Sequence, residues 1–370
     1  MEERQYVMKE IVCKEMIYIE GKYGWFLDEE ENQIYQIELE TKKVHYIGHV
    51  AGHNSYLIKK CGEELYIFPE YCKGNIVVYN LMTGDSKEIE LNIASDKWYE
   101  TLGVWETKDV ILAYSAGLCQ IIEINKVEKN IVKYHNLSCN ELRVDGLCQN
   151  ENDVHIIYRH DKLIMADYIV GSIKYYSVRD IDHEIWGFTY DNGYLWINKK
   201  QGLYFYNVTT CKTDAYVELP DNLIKENAGS FVMATYTSKH YIWFVLLYSN
   251  KFMYLNKKSK EIKFLTLAEE STNGKKQLKY MLNFVYENRY LHLYSRERDT
   301  NFIVDMETAL YWDIEYVISD DEYQKSIIEW MRYTTEKKYT DIHKFLSRCA
   351  VSIEKQNNFT NIGKKIYQMV

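Results

Sequence analysis

One period runs through most of this chain. Seven times, a strand-like apolar run is followed about 13 residues later by a second run that ends in a short polar turn. The turn anchors are Leu39, Leu81, Ile124, Tyr168, Val208, Leu255 and Met306, at separations of 42, 43, 44, 40, 47 and 51 residues. A unit of that size cannot bury its own faces and must stack on its neighbours. Units of about 40–50 residues with several strands each are the pattern of a β-propeller. The expected fold is therefore all-β: a seven-bladed propeller over residues 1–319, with blades starting near 15, 52, 98, 139, 183, 229 and 278.

Within a unit, the strands are separated by turn chemistry. The first reads Met16–Glu20, Tyr23–Asp28, Gln33–Leu39 and Val44–Val50; the second reads Ser55–Lys59, Glu64–Phe68, Asn75–Leu81 and Ser86–Leu91. The second strand is the most apolar of each unit, as in Tyr241–Tyr248, because strands buried on both faces lose the alternation of half-exposed ones. Leu81-Met-Thr-Gly84-Asp85 supplies the residues a tight hairpin needs. Residues 5–12 are left over, either as an extra edge strand or as a replacement that clasps the ring.

The pattern changes at Ser319-Asp-Asp-Glu322, a capping box that opens a helix. Apolar stripes at Tyr323, Ile327, Trp330 and Met331, and again from Ile342 to Ile353 and Phe359 to Tyr367, predict a C-terminal α-helical extension over 320–370. It either braces the propeller or docks a partner.

Composition narrows the function classes. A net charge of −9 with scattered basic residues argues against nucleic acid or an anionic membrane as the main partner. No apolar run is long enough for membrane insertion. The eight cysteines form no CxxC pair and no zinc-ligand spacing, so no zinc site is expected; no metal ligand and no cofactor is assigned. With no signal-peptide core at the start, they set the expectation of a reduced, cytoplasmic protein.

The repeat resembles propellers of the broad kelch and WD-repeat type, at the level of fold alone. The Gly-His…Trp-Asp pair and the diglycine of those families are missing. The Leu65-Tyr-Ile-Phe-Pro69 and Asn75–Gly84 strands are similar to those of uncharacterised bacterial propellers. The resemblance implies no activity that transfers residue by residue, and no catalytic residue is assigned.

Candidate ligand-binding residues follow from the register. Blade-to-blade connections and the loops between second and third strands converge at the channel mouth. The connections carry Asn54, Trp98, Tyr99, Glu100, Glu141, His183, Glu184 and Trp186; the loops carry Arg159 and Arg296. Glu100, Glu141 and Glu184 recur in consecutive blades, an acidic half-ring suited to a cationic or polyhydroxyl ligand. The plain alternative is that each bonds local backbone and faces water. The aromatics suit stacking on sugars or anchoring a peptide, and the arginines suit carboxylate or phosphate. His155 and His292, inside apolar strands, are expected to be satisfied core histidines. The expected function is a non-catalytic binding or protein-interaction scaffold, with ligand at the mouth. The alternative is a glycan or small polar ligand binder or enzyme using the same loops.

Overall fold

The computed structural model describes Met8 to Glu336, apart from 15–16, 29–31, 51–54, 70–74, 92–100, 116–117, 119, 137–143, 150–153, 159–162, 170–171, 179–184, 192, 200–201, 208, 211, 220–231, 247–248 and 268–278. Among the described residues seven sheets follow one another along the chain. Six are four-stranded meanders, over 55–89, 101–136, 144–178, 185–218, 232–266 and 280–314. Numbered in chain order, these are sheets 2 to 7, and sheet 4 is described by its backbone alone.

Sheet 1 is a six-stranded composite. From the inside outward it runs Tyr18–Glu20, Tyr23–Asp28, Gln33–Glu38, Lys43–His49, Tyr316–Ser319 and Met8–Ile11. The expectation of seven like blades is thus corrected: six blades are regular, and a composite built from both ends of the described chain completes the ring. Residues 309–319 are corrected with it. They do not form one outer strand but divide into Leu310–Ile314 of sheet 7 and Tyr316–Ser319 of sheet 1. The second piece runs parallel to Lys43–His49 and antiparallel to Met8–Ile11. Met8–Ile11 is therefore an added edge strand, which decides the alternative the sequence left open.

The first strand of each sheet lines the centre. Neighbouring first strands touch from sheet 1 through sheet 6, and Tyr280–Tyr286 of sheet 7 returns to Tyr18–Glu20. Sheets 6 and 7 meet through Trp243, Val245 and Phe252 against Tyr280, Leu291 and Phe302. The cores lie between sheets, so the second strands with described side chains are buried on both faces; Val110–Ser115 is buried at every position. This is why they read as continuous apolar runs.

The outer hairpins share one device. Asn80, Asn125, Asn207 and Asn256 each turn a side-chain oxygen onto the amides two and three residues ahead, at 2.8–3.0 Å. In three of these turns the chain reverses at the fourth residue along, which is left-handed at Gly84, Lys129 and Lys260. Asp305 plays the same part, with Glu307 and the left-handed Ala309. Side chains also lock the outer hairpins to neighbouring sheets. Trp243 Nε1 donates to Met306 O at 2.7 Å, and Lys260 Nζ lies 3.6 Å from the Phe205 ring.

The helix Asp320–Glu336 opens on the expected capping box, with Ser319 Oγ donating to Glu322 Oε2 at 2.8 Å. It packs on the outer strands of sheet 1. Gln33 Nε2 donates to Ser326 O at 2.6 Å, Tyr46 OH to Glu329 Oε2 at 2.6 Å, and Lys9 pairs with Asp320 at 2.7 Å. This helix is a brace. The two further stripes, 342–353 and 359–367, lie outside the described residues. Among the described residues no helix is long and apolar enough to cross a membrane.

Candidate functional site at the central channel

Among the described residues, six of the seven first strands carry a β-bulge. The register slips between Ser55 and Leu57, Thr101 and Gly103, Val144 and Gly146, Ile185 and Gly187, Val232 and Ala234, and Leu282 and Phe284. A bulge bends its strand and re-aims the extra residue. A small residue follows in four cases, Gly103, Gly146, Gly187 and Ala234, where the chain must bend. These small residues are the sequence signal of the bulges, and strand periodicity alone passes over it.

A cavity of about 370 Å³ lies among four of these first strands. Its walls are Ile17, Tyr18 and Ile19 of sheet 1, Leu57 to Lys59 of sheet 2, Gly103 and Val104 of sheet 3, and Leu282 to Val285 of sheet 7. Most of the described lining is apolar, and among the described residues none of it is acidic.

The polar members are held in place. Lys59 Nζ lies 3.2 Å from Tyr18 OH and 3.5 Å from Glu106 Oε2, so it spans three adjacent inner strands. Burial works against its charge, but Tyr18 and Glu106 outweigh burial and hold its pKa above the ordinary lysine value. Glu106 is shared, because Lys126 Nζ reaches its other oxygen at 2.6 Å. Burial opposes the carboxylate too, yet the two lysines hold it below its usual range. Burial, reinforced by the Glu106 charge, pushes the neighbouring Cys61 thiol up to about 12, so it is no nucleophile at neutral pH.

Asn283, the bulged residue of sheet 7, closes the cavity at the seam with sheet 1. Its carbonyl accepts from Ile17 N at 2.9 Å, and its Nδ2 donates to Cys13 O at 3.2 Å. Asn301 completes the clamp: it accepts from Cys13 N at 2.8 Å and donates to Cys13 O at 2.6 Å and Asn283 Oδ1 at 3.0 Å. His292 lies in the same seam. It is buried, stacked on Phe284 at 3.9 Å and bonded to Tyr316 OH at 3.2 Å, a satisfied core histidine as expected. For His155 only the strand backbone is described.

Of the sequence-derived candidates, Asn54, Trp98, Tyr99, Glu100, Glu141, Arg159, His183 and Glu184 lie outside the described residues. Trp186 is the extra residue of the sheet 5 bulge. Arg296 is exposed, with Nη2 on Met281 Sδ at 3.4 Å, and its amide donates to Lys279 O at 2.9 Å. That bond joins a loop between second and third strands to a blade-to-blade connection, so the two loop sets do meet in sheet 7. Leu267 and Asn250 meet in the same way in sheet 6, at 2.9 Å. Among the described residues no group of three His, Cys, Asp or Glu side chains is placed to hold a metal ion. The residues that sequence reasoning missed are Tyr18, Lys59 and Glu106; the signal of the last two is charge inside an inner strand.

The chain matches no protein-family model, and no curated protein matches it in sequence. Solved structures match its fold. A catalytically inactive variant of virginiamycin B lyase from Staphylococcus aureus, with quinupristin, is 14% identical, with a TM-score of 0.58 over 80% of this chain and 98% of that one. The selenomethionine-substituted form of that lyase gives 13% and 0.57, over 79% and 96%. The computationally designed protein Ika8 gives 11% and 0.56, over 84% and 88%. A natural enzyme and a designed protein thus share this architecture at similar distance, and the likeness is one of fold.

Proposed function

We propose that this protein is a non-catalytic binding propeller that takes its ligand in the central channel. The cavity between the inner strands of sheets 1, 2, 3 and 7 carries the reading. It falls within the range of about 300–1,000 Å³ common to small-ligand sites, with apolar walls and few fixed polar groups. The Cys61 thiol beside it is held protonated, and its lysine is held charged, so these two groups offer binding rather than an acid and base pair. A metabolite panel followed by thermal shift tests this, since a ligand that binds only the folded state raises the melting temperature. Leu57→Trp, which fills the cavity, should remove any stabilisation found; stabilisation that survives it would place the ligand elsewhere.

A second reading puts a glycan or small polar ligand at the mouth, bound or processed by the loop residues. The meeting of loop sets at Arg296 and Lys279 supports it. Trp98→Ala and Glu100→Ala would then abolish glycan-dependent stabilisation while leaving a channel ligand unaffected. A protein partner on the same loops would be lost from pull-downs with these two variants.

A further inference from the structure

The chemistry of the cavity wall goes further than its shape, and what it implies rests on the channel being the binding site. Glu106 is one carboxylate shared between two ammonium groups, Lys126 at 2.6 Å and Lys59 at 3.5 Å. Lys60, the next residue, is matched by Glu20 at 2.7 Å and adds no net charge. Among the described residues, three lysines, Lys59, Lys60 and Lys126, thus face two carboxylates, Glu106 and Glu20, and leave one positive charge over. Of the two lysines on Glu106, Lys126 is the better paired and also donates to Thr107 O at 2.7 Å. The excess charge therefore belongs to Lys59, the one amine or acid among the described residues that line the cavity. Its two neighbours occupy two of its three hydrogens, one of them at a long 3.5 Å.

We propose that the channel cavity binds a small organic monoanion, with an apolar ring-sized body against Ile17, Leu57, Val104 and Phe284 and a single anionic head on Lys59 Nζ. The surroundings fit this class better than a neutral or cationic one. A cation would meet the like charge of Lys59. A neutral apolar molecule would leave the lysine covered and stripped of water, which costs more the deeper the site. A dianion would exceed the one charge available.

The test uses two fluorescent probes on the full chain: 8-anilinonaphthalene-1-sulfonate, a monoanion with an apolar body, and neutral N-phenyl-1-naphthylamine. The anion should bind at one saturable site and lose that binding with Leu57→Trp. Lys59→Met keeps the stem and leaves Glu106 paired with Lys126; it should weaken the anion about tenfold or more, the worth of a charge-assisted hydrogen bond. The neutral probe should change less than about twofold, and Lys59→Arg should restore the anion. Glu106→Gln removes the competing carboxylate and should tighten the anion, which keeps the test open if Lys59→Met fails to fold. Equal anion affinity in wild type, Lys59→Met and Glu106→Gln would overturn the proposal. If both probes then still bind and both are lost with Leu57→Trp, the channel reading stands and only the anion class falls. If neither probe binds the wild type, the channel reading falls as well.

Discussion

Removing the Asn301 side chain should open the propeller at one seam. Asn301, Asn283 and Cys13 are all buried, at 2%, 0% and 0% exposure. Asn301→Ala removes the acceptor of the Cys13 amide and the donor to Asn283 Oδ1. A buried polar group deprived of its partner costs about 1–3 kcal/mol, so two cost about 2–6 kcal/mol. Asn283 Nδ2 still reaches Cys13 O, which puts the expectation near the middle, about 3 kcal/mol. Asn301→Asp should be at least as damaging, because it keeps the acceptor for Cys13 N and turns an acceptor onto Cys13 O and Asn283 Oδ1. The assay is urea unfolding of wild type, Asn301→Ala, Asn283→Ala and the double variant, with hydrogen exchange of the 9–19 segment as the local readout. The two single costs should together exceed the double by about 1 kcal/mol or more, since both side chains serve one clamp. Asn301→Ala within about 0.5 kcal/mol of wild type, or strictly additive singles, would refute the clamp as a closing element.

Three further expectations concern pH, hairpins and the helix. His292 is held to about 3, against an ordinary 6.5, by burial and then by the Lys42 charge. The unfolded chain therefore takes up the proton first: this contribution is complete above 6.5 and is lost as pH falls towards 3, by about 1.4 kcal/mol per unit. Melting curves of His292→Phe should be flatter across that window, and an unchanged slope would exclude His292 as the cause. Gly84, at φ 76°, and Ala309, at φ 57°, share the left-handed hairpin position. Gly84→Ala should destabilise by about 1 kcal/mol and Ala309→Gly should stabilise by up to that amount in chemical denaturation. Ser319→Ala removes the cap of the bracing helix and should cost about 1 kcal/mol, with faster proteolysis after residue 319 than in wild type.

Much of the propeller is legible because each unit repeats the same local physics. The second strands are buried on both faces and read as continuous runs, and Tyr23–Asp28 and Glu64–Pro69 fall where the apolar pattern puts them. The Ser319 capping box is legible for the same reason: a cap is a contact between residues three apart. The outer hairpins were only half legible. Thr-Gly-Asp after Leu81 announced itself, whereas Asn125 and Asn256 open equivalent turns with lysine, a residue that propensity does not favour there, in the left-handed position.

The candidate site was much less legible. The register ordered loop residues around a mouth, but it could not see that six inner strands bulge, because a bulge is a mismatch between two strands and neither strand shows it alone. Nor could it see that Lys59, Tyr18 and Glu106 meet, since they come from three different sheets. By itself the sequence determined the repeat, the strand order within each unit and the start of the helix, all set by contacts within a few tens of residues. Only the tertiary structure decided how the ring is finished. Tyr316–Ser319 and Met8–Ile11 pair on sheet 1 although some 300 residues separate them, and nothing in either short strand specifies a partner until the other strands of that sheet are in place.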